Sequence, residues 1–287
     1  MVSSGNLQPV EAWLRANLSS EIDRFEPVGG GCINDTGVVW QTTGERLFLK
    51  QHPDAPEDFF HAEACGLEAL RAATSLRIPR VIHADSDFLL LEDLGNGSPV
   101  GNFWQLLGTG LAQLHSKTHR TFGLEQDNYC GRTPQRNTPS PDGFAFFASN
   151  RLNILAEQAN GAGLMDSSDV RRVNRLAANL HEHIPAQPAV LIHGDLWSGN
   201  VHCDNEGVPA LIDPACYRGW AEAELAMTVL FGGFQAEFYR AYEDASNIDR
   251  DWRERAPIYN LYHLLNHLVL FGTGYLGQVK NVLARYT

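Results

Sequence analysis

Three polar residues with a fixed spacing could carry out phosphoryl transfer. Asp195 and Asn200 stand five residues apart in the segment HGDLWSGN, and Asp213 follows a second strand-like run. Transfer of a phosphoryl group needs a carboxylate at the attacking hydroxyl and oxygen ligands for magnesium between the phosphates. The order therefore predicts ATP as the donor, Asp195 as the catalytic base, and Asn200 and Asp213 as ligands of Mg²⁺. Each half of the pattern also occurs in ordinary surface turns, but the two together favour catalysis.

A lysine at the end of an alternating run supplies a second part of such a site. Lys50 ends Leu47-Phe48-Leu49-Lys50, which has the pattern of a strand, and a helical pattern follows it. Glu63 lies on the apolar face of that helix, where a carboxylate is costly to bury unless a cation meets it. We therefore expect Lys50 to pair with Glu63 and to contact phosphate. An edge-strand lysine in solvent is the alternative.

A glycine-rich segment precedes this lysine. It reads Gly29-Gly30-Gly31-Cys32-Ile33-Asn34 and is not followed by the lysine of a P-loop. A loop of this kind can lie over the phosphates of ATP with its backbone N–H groups pointing inward, so Gly30, Gly31, Cys32, Ile33 and Asn34 are candidate nucleotide contacts. A tight hairpin turn would need the same glycines. Cys32 could carry a reactive thiol beside Lys50, or could be a passive small residue.

The order of the elements predicts an α+β protein of two lobes. Strand-like runs dominate the first part, helical spacing dominates the rest, and the polar segment Glu92-Asp93-Leu94-Gly95-Asn96-Gly97 is the best linker. We expect a small β-rich lobe at residues 1–93 that binds the phosphates of ATP, and a larger helical lobe at residues 94–287 that holds the catalytic loop and the acceptor. In a bilobal kinase the backbone of the interlobe segment reads the adenine edge, which makes Glu92 and Leu94 candidates by position.

Composition excludes several classes of function. The chain has 287 residues, 22 Lys and Arg against 34 Asp and Glu, and a formal net charge of -12, which argues against binding to nucleic acid or to an anionic membrane surface. Five cysteines without a C-x-x-C pair argue against a disulfide scaffold or a structural zinc site and favour a reducing compartment. The amino-terminal segment does not have the pattern of a signal peptide, and no apolar run is long enough to span a bilayer. We expect a cytoplasmic protein, whose oligomeric state the sequence leaves open.

Two histidines one helical turn apart could also ligate a metal. His263 and His267 lie in YNLYHLLNHLVLF, an aromatic-rich helical segment. Histidines in such a helix more often belong to the core or line a site.

Taken over nearly its whole length, the chain resembles the fructosamine kinase (ketosamine-3-kinase) family, which is related to the aminoglycoside and choline kinases. The resemblance rests on GGGCIN, FLK, EACGLEAL, LLLEDL, DNYCGRTPQRN, LIHGDLWSGN, IDPACYRGWAEAELAM, FGGF and YNLYHLLNHLVLFGTGYLGQV. The tryptophan within HGDLWSGN and the long carboxy-terminal string are its most specific parts. The resemblance implies a protein-kinase-like fold and ATP-dependent phosphorylation of the 3-hydroxyl of a ketosamine, free or protein-bound. Because the family's 3-phosphates are unstable and release the amine, it also implies a role in deglycation.

The resemblance also implies residues for the sugar side of the site. Trp197 would form part of the sugar pocket, since an indole face suits the apolar C–H side of a sugar. Gln135 and Asn137 are further candidates, as is His267. Gln135 and Asn137 lie in the proline-containing segment 130–142, which its composition predicts to be a loop.

Two departures from the family pattern bear on substrate preference. Ala221 stands where the family usually has arginine, although Glu222 and Glu224 keep the acidic places, and Gly143-Phe144 stands where tryptophan is frequent. If that arginine stabilises the loop behind Asp213, another group must do so here. Two other functions remain open. One is a kinase with an aminoglycoside-like or choline-like acceptor, and the other is a nucleotide-binding module without catalysis.

Overall fold

The amino-terminal region is built on a five-stranded antiparallel sheet. The structure is a computed structural model that describes residues 7–29, 34–52 and 54–287. The strands lie in the order β1-β2-β3-β5-β4, with bounds β1 Ile22–Pro27, β2 Asp35–Gln41, β3 Arg46–Gln51, β4 Val81–Ala84 and β5 Phe88–Glu92. Helix α1 spans Gln8–Leu18, and helix α2, Phe59–Ala73, connects β3 to β4.

The alternation of side chains along β3 explains how a lysine reaches the interior. Leu47 and Leu49 point to one face of the sheet, where they pack in a small core with Val10 of α1. Phe48 points to the other face and packs against the large core that includes α2. Lys50 shares the face of Phe48 by the period of two and is only 2% exposed. The strand therefore aims a buried ammonium group toward α2 and the second region.

The second region is mainly helical. Its α-helices are α3 Phe103–His115, α4 Gly143–Phe147, α5 Ile154–Gly161, α6 Ser167–Ala178, α7 Ala221–Leu230, α8 Ala236–Ala245, α9 Trp252–Phe271 and α10 Leu276–Tyr286. A π-helical turn at Ala148–Asn153 joins α4 to α5. The expected α+β class and the change from strands to helices along the chain are both observed.

Short strands in this region frame the catalytic segment. β9, Ala189–Ile192, lies between β6, Thr118–His119, and β12, Tyr217–Gly219, in one antiparallel sheet. β10, Val201–Cys203, pairs with β11, Pro209–Leu211, as a hairpin.

The predicted loop at residues 130–142 contains regular structure. β7, Asn128–Cys130, and β8, Thr133–Gln135, form a hairpin, so that part of the prediction was wrong. The prolines and the low apolar content suggested a loop, but Thr133 and Gln135 lie in β8 and are buried, while Pro134 between them is exposed. Pro134 thus takes an outward position that needs no buried N–H donor.

The segment between the two regions is held by the β10–β11 hairpin. The Leu94 carbonyl accepts a hydrogen bond from the Asn205 amide at 2.9 Å, and the Gly95 carbonyl accepts one from His202 Nε2 at 2.5 Å. The predicted boundary between residues 93 and 94 follows directly after β5, but α2 shares the large core with the helical region. Among the described residues, no helix is both long enough and apolar enough to cross a bilayer.

Candidate active site

The segment after β9 holds Asp195 and Asn200 against each other. All four residues of β9 are buried, and the chain then turns at Gly194, whose φ is +82°. A Cβ atom at Gly194 would lie 2.1 Å from the Ala215 carbonyl oxygen, so the turn requires glycine. A 3₁₀ turn at Ser198–Asn200 brings Asn200 back, where its Nδ2 donates to the Asp195 carbonyl at 2.8 Å and to Asp195 Oδ2 at 3.2 Å. The five-residue spacing is thus the length of a loop whose two ends, Asp195 and Asn200, are hydrogen-bonded to each other.

Asp213 lies beside this loop because the two segments are cross-linked. Ile212 N–H donates to the Asn200 carbonyl at 3.1 Å, and His193 Nε2 donates to the Ile212 carbonyl at 2.8 Å. Asp213 itself has a φ of +56°, a left-handed conformation that aspartate tolerates better than most residues. Its side chain is 46% exposed, so its carboxylate remains accessible.

Lys50 joins the amino-terminal sheet to this site. Its Nζ donates to Glu63 Oε1 at 2.5 Å and also contacts Asp213 Oδ1. Burial opposes the charge on Lys50, but the carboxylates of Asp213 and Glu63 outweigh it and raise the pKa of the ammonium group above its usual range. Burial raises the pKa of Glu63 despite the opposing effect of Lys50. The structure therefore brings together Lys50 and Glu63, which the sequence paired, and adds Asp213 to them.

The position of Asp195 gives its carboxyl group an unusual affinity for protons. Burial and the nearby charge of Asp213 raise the pKa of Asp195 to about 7, against the opposing hydrogen bond from Asn200. Burial lowers the pKa of His193, which stays neutral and serves as a hydrogen-bond donor to the backbone. A carboxyl group poised near neutral pH can accept a proton from a hydroxyl, as a general base must.

A carboxylate from α7 fixes the backbone of the same loop. Glu224 is 1% exposed, and its two carboxylate oxygens accept the N–H groups of His193 and of Gly194, the latter at 3.1 Å. His115 Nε2 lies 3.8 Å from Glu224. Sequence reasoning did not assign this role, although a carboxylate among the apolar residues of AEAELAM is a signal that a buried partner exists.

Glu222, the residue next to Ala221, forms its ion pair with an arginine of α9. Arg255 of α9 donates to Glu222 through Nε at 2.8 Å and Nη2 at 2.6 Å, and Tyr259 OH donates to Glu222 Oε2 at 3.0 Å. A guanidinium group therefore meets Glu222 of α7 although position 221 is alanine. The loop behind Asp213 is held by His193 and Lys50.

Aromatic side chains form one wall beside the catalytic loop. Trp197 is 36% exposed and its ring lies 6.3 Å from that of Phe231, which lies 4.8 Å from His267. The ring of His267 lies 5.3 Å from Phe271 and 5.0 Å from Tyr275. We call these five residues the aromatic wall. Burial lowers the pKa of His267, and its Nδ1 donates to the His263 carbonyl at 2.8 Å, which leaves Nε2 of the neutral ring as an acceptor.

Two residues that we expected to contact the sugar, Gln135 and Asn137, are buried inside the protein. Gln135 is 3% exposed and Asn137 is 0% exposed. Gln135 Nε2 donates to Asn128 Oδ1 at 2.7 Å, and Tyr262 OH donates to Gln135 Oε1 at 2.5 Å. Asn137 Nδ2 donates to Asn128 Oδ1 at 2.7 Å, and Arg151 Nη2 donates to Asn137 Oδ1 at 2.8 Å. Both amides are thus committed to a buried network under the site, which corrects the expectation of direct sugar contacts.

The expected nucleotide contacts are only partly described. Gly30, Gly31, Cys32 and Ile33 lie outside the described residues, so the glycine loop remains a prediction. Asn34 is half-buried, and its Oδ1 accepts no hydrogen bond from the described residues. The Leu94 carbonyl already accepts a hydrogen bond from the backbone N–H of Asn205, so the backbone N–H of Leu94 is its candidate contact for adenine. The side chain of Glu92 accepts a hydrogen bond from Arg77 at 2.5 Å.

Known proteins similar to this chain share its length and fold. The fructosamine kinase family model matches residues 7–287. A chloroplastic protein-ribulosamine 3-kinase of Arabidopsis thaliana is 35% identical, over 97% of this chain and 87% of its own length. A crystal structure of a candidate fructosamine-3-kinase from Thermobifida fusca has a TM-score of 0.87 at 30% identity, covering 96% of this chain and 97% of its own.

A more distant structural similarity concerns the fold alone. An ADP-bound aminoglycoside phosphotransferase has a TM-score of 0.61 at 13% identity, with 96% of each chain covered. The expected kinase-like architecture is thereby confirmed.

Proposed function

This chain belongs to the fructosamine kinase family, and we propose that it transfers the γ-phosphoryl group of ATP to the 3-hydroxyl of a ketosamine. The observation that carries the proposal is the convergence of Asp195, Asn200, Asp213 and Lys50 from three separate parts of the sequence. A base, an amide, a carboxylate and an ammonium group at one place are the set that phosphoryl transfer requires.

Asp195 has the role of the base. Its pKa of about 7 allows it to accept the proton of the acceptor hydroxyl as that oxygen attacks phosphorus. The hydrogen bond from Asn200 fixes its rotamer, and Glu224 fixes the backbone that carries it. These contacts hold the carboxylate before the acceptor arrives, which lowers the cost of reaching a reactive geometry.

The donor set fits Mg²⁺. Asn200 uses its Nδ2 for Asp195, which leaves its Oδ1, and the half-exposed carboxylate of Asp213 offers a second oxygen beside the one that Lys50 contacts. Oxygen ligands of this kind are those that Mg²⁺ prefers, and the ion would neutralise phosphate charge. Lys50, held by Glu63, would contact the phosphates from the opposite lobe. The glycine loop and the backbone at Glu92 and Leu94 complete the proposed nucleotide site.

The aromatic wall has the role of the acceptor site. The exposed face of Trp197 can stack on the C–H side of a sugar, and His267 Nε2 can accept a hydrogen bond from a hydroxyl. The wall continues past Phe271, which is 49% exposed, toward the surface. An acceptor site that extends to an exposed side chain suits a sugar attached to the lysine of a protein as well as a free ketosamine, and the name of the Arabidopsis relative indicates a protein-bound sugar for that protein.

An acceptor comparison tests the proposal. The purified chain is incubated with ATP, Mg²⁺ and, in parallel, ribulosamine-modified lysine, fructosamine-modified lysine, an aminoglycoside and choline, and ADP formation is followed. We expect turnover with at least one ketosamine and much less with the other acceptors. Preference for the aminoglycoside or choline would replace the proposed acceptor, and Mg²⁺-dependent ATP binding without any turnover would indicate a non-catalytic module.

A further inference from the structure

Three metal-binding types of side chain meet beneath the catalytic loop. Cys130 Sγ, a carboxylate oxygen of Asp195 and a ring nitrogen of His263 all lie within 4.8 Å of one another. They come from β7, from the loop after β9 and from α9. The proposed phosphoryl transfer uses only Asp195 and gives no role to the other two side chains, although the Cys130 thiol is hydrogen-bonded to Tyr262 and Asn266.

His263 is the least explained of the three. It is 5% exposed, and its Nδ1 finds no hydrogen-bond partner among residues 7–29, 34–52 and 54–287. Burial lowers its pKa to about 3, and the neighbouring His267 and Arg151 side chains add to this effect because they disfavour a second positive charge. The ring is therefore neutral at physiological pH and retains a lone pair, which is the form that binds a metal. A buried nitrogen without a hydrogen-bond partner has lost its hydration without compensation, and a bound metal ion would supply a partner.

The thiol of Cys130, which lies near His263 and Asp195, is protonated. It is 3% exposed and not part of a disulfide. Burial and the negative charge of Asp195 raise the pKa of the Cys130 thiol above its usual range. A divalent cation placed between the three side chains reverses this effect, because a coordinated thiol loses its proton to solvent.

We propose that Cys130, Asp195 and His263 form a binding site for a soft divalent metal ion of the Zn²⁺ class, separate from the proposed Mg²⁺ site. Sulfur, imidazole nitrogen and carboxylate oxygen are the ligands of Zn²⁺, whereas Mg²⁺ selects oxygen. Zinc bond lengths place the ligand atoms of a tetrahedral site about 3.5 Å apart, so the three side chains must converge by about 1 Å. Asp195 is half-buried, whereas Cys130 and His263 are buried, so an ion would reach the site from the side of Asp195.

Metal binding at this site would inhibit the enzyme. The ion takes the carboxylate that the acceptor hydroxyl needs, so inhibition should be competitive with the acceptor and not with ATP. This consequence rests on the proposed function, but the site itself does not. Binding is therefore measured first without any substrate.

Cobalt(II) is the probe, because a thiolate ligand gives Co²⁺ a charge-transfer band that oxygen and nitrogen ligands do not. The full-length reduced protein is titrated with Co²⁺ in the presence of excess Mg²⁺, and Zn²⁺ is then added to displace it. We expect one equivalent of Co²⁺ to produce the band, Cys130→Ser to abolish it, and His263→Asn to weaken binding at least tenfold. The matched control Cys216→Ser removes another buried, free thiol and should keep the band.

Several results would overturn the proposal. They are the absence of a band in the unmodified protein, a band that survives in Cys130→Ser, or one that Cys216→Ser abolishes as well. Circular dichroism checks that each variant is folded, and Cys130→Ala replaces Cys130→Ser if the hydroxyl is not tolerated. A protein that binds Co²⁺ as expected but phosphorylates no ketosamine would contradict the proposed function and leave the metal site standing.

Discussion

Lys50 of β3 and Asp213, which follows β11, lie 163 residues apart in sequence, yet the ammonium group of the first contacts the carboxylate of the second. Glu63 holds the same ammonium group from the other side. One buried cation therefore faces two carboxylates, and the cluster carries an excess negative charge. A divalent cation between Asp213 and the phosphates of ATP would offset that excess. The net charge of -12 would then be compatible with an anionic nucleotide, because the cation and Lys50 would neutralise the phosphates locally.

Removal of Lys50 should separate its structural role from its catalytic one. Lys50→Met leaves Glu63 buried without a cation, and we expect a loss of about 3–5 kcal/mol in the free energy of unfolding. The double variant Lys50→Met with Glu63→Gln should recover at least half of that loss but none of the activity. Urea unfolding and initial rates at varied ATP concentration measure the two effects. A double variant with substantial activity would contradict the role of Lys50.

The pH dependence should report the ionisation of Asp195. Because burial and Asp213 raise the pKa of Asp195 to about 7 and a base acts only when deprotonated, kcat/KM should fall as pH drops below 7. The fall should approach tenfold per pH unit. A cation at Asp213 offsets one cause of the raised pKa, so a higher Mg²⁺ concentration should shift this acidic limb to lower pH. A rate that is constant from about pH 5.5 to 8 would argue against Asp195 as the base.

Glu224 should affect the rate through the loop that it holds. Glu224→Gln keeps one acceptor for the His193 and Gly194 amides but replaces the other with a donor, and we expect a loss of about 1–3 kcal/mol in stability. The misplaced loop should lower kcat and leave the KM for ATP nearly unchanged. Thermal denaturation and steady-state kinetics at saturating Mg²⁺ test this.

Glu222→Gln is the matched control for Glu224. Glu222 lies on the same helix, is equally buried and binds Arg255 instead of the loop. We expect a similar loss of stability, while the folded fraction keeps its kcat. An equal effect of both substitutions on kcat would show that Glu224 acts only through the packing of α7.

Trp197 should matter to the acceptor and not to ATP. Trp197→Ala removes the exposed face of the aromatic wall, and we expect the KM for the ketosamine to rise about tenfold, equivalent to about 1.4 kcal/mol, with the KM for ATP unchanged. The KM of Trp197→Phe for the ketosamine should lie between the values of the unmodified protein and of Trp197→Ala. Trp13→Ala, which removes a half-buried indole stacked on His83, is the control and should leave the acceptor KM unchanged. An increased KM for ATP in Trp197→Ala would contradict the assignment of Trp197 to the acceptor site.

Local periodicity was sufficient to predict the pair Lys50 and Glu63. The period of two along β3 and the helical spacing of α2 each place one side chain on an inward face, and the cost of burying either alone favours a contact. The loop from Asp195 to Asn200 was predictable for a similar reason, since its length and its flanking strands are contained in one short segment. The structure places these residues within hydrogen-bond distance.

Burial of polar side chains far apart in the sequence was not predictable in the same way. Gln135 and Asn137 have the composition of loop residues, and only the three-dimensional arrangement shows that Asn128, Tyr262 and Arg151 bind them internally. The same holds for Asp213, whose contact with Lys50 depends on how the two regions pack. A local pattern identifies which side chains can react, while long-range packing decides which of them are accessible.

The most direct test of the central claim compares two acceptors that differ by one oxygen. ADP formation from ATP is measured with ribulosamine-modified lysine and with its 3-deoxy analogue, using the unmodified protein and Asp195→Asn at equal folded concentration. We predict turnover only for the unmodified protein with the 3-hydroxyl present, and ³¹P NMR should show the phosphate on that oxygen. Turnover of the 3-deoxy analogue, or undiminished activity of Asp195→Asn, would contradict the account.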